Sequence, residues 1–215
     1  MDTKYKIEDF EIDFIKPLGK GGFSEVYKAT EKKTGKVYAI KRFSKENSFE
    51  EEIQNLKLLN KCENSIKYFG SFEYENFIYL IMEKCDSSLD KIKNKKLSIK
   101  TIKEILEQLN NVFKIMSDKS IIHRDIKPEN ILIKKLENNK YLYTLTDYGF
   151  SKILTQSNKA ESEKGTEGYF APEIKKNLNI DKSKVDLWSI GILIHKLYFG
   201  KIPKINNIQN KNNKY

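Results

Sequence analysis

The rhythm of apolar and polar positions changes along the chain. In its first part the apolar residues come in short β-rich runs. Val26 and Tyr27 lead towards Thr34-Gly35, and Val37-Tyr38-Ala39-Ile40 follows. Two such runs about a Gly-containing turn predict a hairpin over 14–41. Over 50–60 the period lengthens: Ile53, Leu56 and Leu59 recur at three- and four-residue steps, which predicts a helix with one buried face. Residues 66–72 and 77–82 are aromatic and β-branched and return to strand. Asp86-Ser87-Ser88 reads as a linker. An amphipathic helix is predicted over 101–116, with Ile102, Ile105, Leu106, Leu109, Val112 and Phe113 on one side. Short strands at 131–133 and 143–146 flank a polar turn at Asn138-Asn139, and 185–198 is a strongly apolar helix. Beyond Pro203 the chain is rich in Asn and Lys and without period, so 204–215 reads as a disordered polar tail. No internal repeat is visible. Strands first and helices afterwards predict an α+β chain in two lobes with a cleft between them.

Composition narrows the function. A chain of 215 residues, 39% of them hydrophobic, can bury a core of its own. Cys62 and Cys85 fit no metal-ligand spacing and no disulfide framework, which points to a reducing, cytoplasmic setting. The N-terminus opens on charges, so no signal peptide is expected, and no apolar run is long enough for a membrane segment. The formal net charge of +10 raises nucleic acid as a partner. Yet Arg occurs only at Arg42 and Arg124, and the rest of the positive charge is scattered Lys. Groove readers use Arg for bidentate contacts to bases, so no nucleic-acid binding is expected.

Several segments carry chemistry. His123-Arg124-Asp125-Ile126-Lys127-Pro128-Glu129-Asn130 places an acid and an amide on one short loop. A carboxylate there can orient a hydroxyl nucleophile and take its proton, and an amide oxygen can help hold a metal. Read alone, the segment is also a polar surface loop with a Pro turn. Gly19-Lys20-Gly21-Gly22-Phe23-Ser24-Glu25-Val26 is a glycine cluster whose backbone could close over phosphates, although such clusters mark many ordinary turns. Tyr38-Ala39-Ile40-Lys41 puts a Lys on a strand, which in so Lys-rich a chain is common. Asp147-Tyr148-Gly149 follows a strand, Gly165-Thr166-Glu167-Gly168-Tyr169-Phe170-Ala171-Pro172-Glu173 follows that, and Asp186-Leu187-Trp188 opens the last helix.

In this order the segments resemble the eukaryotic protein kinase family, over residues 12–203. They match in turn G-x-G-x-x-G-x-V, with Ser24 for the third Gly; V-A-I-K; H-R-D-L-x-x-x-N, with Ile126 for Leu; D-F-G, with Tyr148 for Phe; A-P-E; and D-x-W. Lys127 and Thr166 resemble the Ser/Thr branch. The resemblance implies a two-lobed kinase-like fold, with a small β-rich N-lobe over 12–84 and a helical C-lobe over 85–203. The family normally continues with further helices, so the C-lobe reads as incomplete after the D-x-W helix. No Arg follows Glu173 to pair with it.

What the resemblance implies for function is transfer of the γ-phosphoryl of ATP, with Mg²⁺, to a Ser or Thr hydroxyl of a protein substrate. Asp125 would be the base and Lys127 would steady the γ-phosphate. Lys41 would hold the α/β-phosphates, itself fixed by a Glu that opens the helix at 50–60. Of Glu50, Glu51 and Glu52 we choose Glu52, because Ile53 and Leu56 then fall where the family's helix packs inward; Glu51 is the alternative. Asn130 and Asp147 would hold the metal. Leu18, Gly19, Lys20, Gly21, Gly22, Ser24 and Val26 would cover the nucleotide. Ala39, Met82, Glu83, Cys85 and Leu132 would surround the base, Met82 as gatekeeper and Glu83 and Cys85 as hinge. Asp186 would brace the catalytic loop. A phosphate on Ser162 would pair with Arg124 and order the loop between them. The alternative reading is a non-catalytic, kinase-like module that binds nucleotide or protein.

Overall fold

A computed structural model of the chain describes residues 4–46, 49–92, 96–153, 165–171 and 184–204. The tail after Lys204, Ser162, Pro172 and Glu173 lie outside the described residues. The first lobe is an antiparallel sheet of β1 (Phe10–Ile12), β2 (Gly19–Lys20), β3 (Ser24–Glu31), β4 (Val37–Ser44), β5 (Tyr68–Tyr74) and β6 (Phe77–Glu83). The strand order is β1-β3-β4-β6-β5, with β2 also on β3. The hairpin expected around Thr34-Gly35 is β3–β4. Gly35 closes its turn at φ +70°, in the left-handed region, where a Cβ would be strained. Phe14, the expected start of that hairpin, lies outside any strand.

Register assigns each residue of the sheet to a face. Val26 lies opposite Lys41, and Ala39 lies opposite Met82. Partners across an antiparallel pair share a face, as do residues two apart along a strand. Val26, Ala39, Lys41 and Met82 therefore line one face. The other face carries Tyr38, Ile40, Tyr79 and Ile81, packed with Phe10, Ala29 and Phe72 in a core of their own.

Helix α1 (Glu50–Leu59) has no side-chain N-cap but carries Glu50, Glu51 and Glu52 in its first turn, where acids suit the helix dipole. It buries Glu52, Asn55, Leu56 and Leu59. Helix α2 (Ile99–Asp118) starts at Ser98, whose hydroxyl accepts from Thr101 N at 3.1 Å. Its buried stripe is Ile102, Ile105, Leu109, Val112 and Met116, the 3–4 spacing the sequence predicts. Full burial of side chains like Ile105 and Leu109 stabilises by about 1.5–3 kcal/mol each. These residues share one core with Leu56 and Leu80 of the first lobe, and with Leu193 of α3 (Val185–Phe199).

Two small sheets hold the loops between the lobes. β7 (Ser87–Ser88), β9 (Ile131–Lys135) and β10 (Tyr141–Leu145) form one, in the order β10-β9-β7. The segment read as a linker at Ser87-Ser88 is thus a paired strand. β8 (Ile121–Ile122) and β11 (Lys152–Ile153) form the other. The 123–130 loop runs from β8 to β9, and the Asp147 segment runs from β10 to β11. Both pairings hold the two loops side by side.

Candidate active site

Lys41 stands on the inner face of β4 and is 6% exposed. Its Nζ donates to Glu52 Oε1 at 2.6 Å and to Asp147 Oδ1 at 2.8 Å. Of the three Glu residues that open α1, Glu52 is thus the one that meets Lys41. Glu50 turns back to accept from Phe49 N, and Glu51 is exposed. Burial works against the Lys41 ammonium, but the carboxylates of Glu52 and Asp147 outweigh it and hold its pKa above the usual lysine value. Lys41 lowers the Asp147 carboxyl, against burial. Burial raises the Glu52 carboxyl, with Lys41 opposing. The Asp147 side chain is 40% exposed, so solvent reaches it, whereas that of Glu52 is 7% exposed.

Asp125 is the second centre, 1% exposed. Lys127 Nζ lies 2.8 Å from its Oδ2, and Asn130 Nδ2 donates to Oδ2 at 2.9 Å. The Thr166 hydroxyl donates to Oδ1 at 2.6 Å and accepts from Lys127 Nζ at 2.6 Å. Thr166 entered the sequence reading only as a mark of the Ser/Thr branch; the structure makes it a direct partner of the carboxylate. Gly165 beside it packs on the same loop. A Cβ there would stand 2.5 Å from Arg124 O, and φ is +129°, so the position requires glycine.

The loop itself is braced from below. Asp186, in the first turn of α3, accepts from His123 N at 2.7 Å and Arg124 N at 2.8 Å. Arg124 sits at φ 67° and Asp147 at φ 65°, both left-handed without being glycine. Strained backbone of this kind persists only where surrounding contacts over-determine it, and it gathers at functional sites. The His123 ring is fully buried; Nδ1 faces Asp125 N at 3.3 Å, and Nε2 faces Thr146 O at 3.1 Å. An amide on one side and a carbonyl on the other select the tautomer with the proton on Nε2. Arg124 Nε donates to Phe150 O at 2.5 Å, so it already ties the loop to the segment after Asp147.

Val26, Ala39 and Met82 share the sheet face that carries Lys41. Met82 is 6% exposed and Ala39 8%. Leu132 and Cys85 are half-buried against the central core. Burial pushes the Cys85 thiol up to about 12, as a packing residue and not a reactive thiolate. Glu83 donates its backbone N–H to Lys67 O, while its side chain pairs with Lys134. Leu18 N donates to Val26 O at 2.7 Å, and Gly21 N to Ser24 O at 2.8 Å. The glycine cluster is therefore a narrow β2–β3 hairpin, with Gly19 opposite Val26 and Lys20 opposite Glu25. Lys20 and Arg42 both pair with Glu25, and the Tyr27 hydroxyl foremost, then those cations, hold its carboxyl down to about 2.

The donor set fits a hard cation that is held jointly with phosphates. Both hydrogens of Asn130 Nδ2 are used on Asp125, one on its Oδ2 and one on its backbone O at 2.8 Å, so the amide oxygen is what Asn130 has to offer. Asp147 adds a partly exposed carboxylate. Among the described residues no group of three or more His, Cys, Asp or Glu forms a complete cage. Two oxygen ligands with the rest supplied by phosphate and water is how Mg²⁺ is commonly bound.

The family model of the protein kinase domain matches residues 12–215. The chain belongs to the protein kinase family. Known kinases align with most of the chain. An Aurora kinase of Yarrowia lipolytica is 35% identical over 210 residues, 93% of this chain and 54% of that protein. The serine/threonine-protein kinase TIO of Arabidopsis thaliana is 33% identical over 210 residues, 94% of this chain and 15% of that protein. The serine/threonine-protein kinase cst-1 of Caenorhabditis briggsae is 31% identical over 199 residues, 89% and 39% of the two. The kinase domain described here spans about half, or less, of the length of these relatives. No described helix is long and apolar enough to cross a membrane.

Proposed function

We propose that this chain is a Ser/Thr protein kinase that transfers the γ-phosphoryl of Mg·ATP to a protein hydroxyl. The observation that carries the reading is the Thr166 hydroxyl donating to Asp125 Oδ1 at 2.6 Å, with Lys127 on both groups. Asp125 already accepts a hydrogen bond from an aliphatic hydroxyl, the kind of contact a substrate Ser or Thr would make with it. From there it would accept the proton as the hydroxyl oxygen attacks the phosphoryl group and ADP leaves. Lys127 would neutralise charge growing between nucleophile and phosphate. Lys41, held by Glu52, would meet the α/β-phosphates, and Asn130 and Asp147 would hold Mg²⁺, which when bound neutralises phosphate charge. Leu18 to Val26 would cover the nucleotide, with Ala39, Met82 and Leu132 around the base. The Glu83 carbonyl and the Cys85 backbone would meet its polar edge. Both cysteines are unpaired, which suits a reducing cytoplasm.

The test is phosphate transfer from Mg·ATP to a generic basic protein, followed by identification of the modified residues. Phosphoserine or phosphothreonine supports the reading. Mg²⁺-dependent nucleotide binding without transfer would favour the non-catalytic module instead.

A further inference from the structure

Tyr148 stands where kinases usually carry Phe, and its hydroxyl has found a buried partner. The ring is fully buried, and Oη lies 2.8 Å from Ser65 Oγ, itself fully buried. Ser65 belongs to the turn that leaves α1. That turn is joined to β10 by backbone bonds: Leu145 N donates to Asn64 O and Ile66 N to Leu145 O, both at 2.9 Å. The Asn64 side chain adds a bond to Tyr143 O at 3.0 Å. This backbone seam ends at Leu145, before Asp147 is reached. Tyr148 continues it by one side-chain bond. Its ring also lies against His123, with centroids 5.1 Å apart, and so reaches the Asp125 loop.

Its chain neighbours explain what such a bond can do. On one side is Asp147, in a left-handed conformation and paired with Lys41. On the other is Gly149, where a Cβ would come within 3.2 Å of Glu52 Oε2. Rotation of Tyr148 out of its slot would drag both from the ion cluster. It would also strand two buried hydroxyls, for among the described residues the other acceptor near Tyr148 Oη is Leu145 O at a long 3.5 Å. We infer that the Tyr148–Ser65 hydrogen bond is a latch that ties the exit of α1 to the Asp147 segment, making Tyr148 and Ser65 positioning residues for the metal ligand. The inference rests on the kinase reading for its consequence, and on geometry alone for the latch.

Tyr148→Phe, Ser65→Ala and the double variant test it. Phe keeps the ring in its slot, so folding is not at stake. Without nucleotide, amide exchange at Ser151, whose N–H donates to Tyr148 O at 3.0 Å, is expected to speed up about tenfold in each single variant relative to β4 amides. The double variant should be no faster than either single, because neither hydroxyl is left alone. With nucleotide, ADP affinity in Mg²⁺ should fall about three- to tenfold while metal-free affinity holds, since one lost hydrogen bond is worth about that much. Unchanged exchange, additive losses in the double variant, or equal loss of ADP affinity with and without Mg²⁺ would each overturn the latch. If the wild type itself binds ADP no better with Mg²⁺, it is the kinase reading that fails, and the exchange arm still decides the latch.

Discussion

Asp125 shows what one side chain gains from its surroundings. It is nearly sealed from water, yet three donors from Lys127, Asn130 and Thr166 converge on its two oxygens. Asp125→Asn keeps the shape but replaces an acceptor oxygen with a donor that cannot take a proton. Turnover should fall by roughly 10²–10⁴ while ADP affinity stays within about twofold. Steady-state transfer assays beside nucleotide titration check this, and wild-type turnover would remove Asp125 as the base. At this scale the sequence was informative because motif spacing carries identity. The kinase resemblance picked out Lys41, Asp125, Asn130 and Asp147 by motif, and Glu52 by where the family's helix packs inward; the structure brings Lys41 to Glu52 and Asp147, and Asn130 to Asp125. The Thr166 bridge and the Ser65 partner could not. Each depends on a contact made across dozens of residues, and neither Ser nor Thr advertises its partner. Tyr148 did carry a signal: a buried phenol needs a hydrogen bond.

Elements turn local preferences into a fixed loop. Ser98 starts α2, three acids favour the start of α1, and the long amphipathic stripes were legible because they repeat. The strands of two or three residues, β1, β2, β7, β8 and β11, were not. So short a run has no alternation to read, and pairing partners from elsewhere make it a strand. Those short strands carry the site, since β8 and β11 place the two loops together. The first turn of α3 supports them through Asp186. Asp186→Ala should leave the amides of His123 and Arg124 without their acceptor, just where Arg124 is held at φ 67°. An unmet buried donor costs about 1–3 kcal/mol. Denaturant unfolding should show a loss of that order, and turnover should drop at least about tenfold as Asp125 loses its placement, with ADP affinity little changed. Full activity in a folded variant would mean the loop holds itself.

At the scale of the whole molecule, the ion cluster joins α1, the first-lobe sheet and the Asp147 segment. Its charges are Lys41 against Glu52 and Asp147, so removing different members should change the pH dependence of stability differently. In Glu52→Gln, Lys41 still has Asp147 at 2.8 Å and is not stranded. The stability loss should therefore stay below the roughly 3–5 kcal/mol of a broken buried pair, although turnover falls because Lys41 is no longer fixed. Lys41→Met instead leaves two carboxylates facing each other without their cation. Lys41 is what lowers the Asp147 carboxyl and opposes the rise of Glu52. Without it both carboxyls move up from where Lys41 holds them, Glu52 further above its ordinary value. A raised carboxyl pKa contributes stability that is present below the unfolded value and lost as pH rises through the folded one. Lys41→Met should accordingly be closest to wild type near pH 5 and fall behind it as pH rises to about 8, whereas Glu52→Gln should show no such widening gap. The measurement is urea unfolding of the three proteins across that range. A Lys41→Met deficit that is flat with pH, or that shrinks as pH rises, would show that the carboxylates escape to solvent and that the cluster does not couple the lobes.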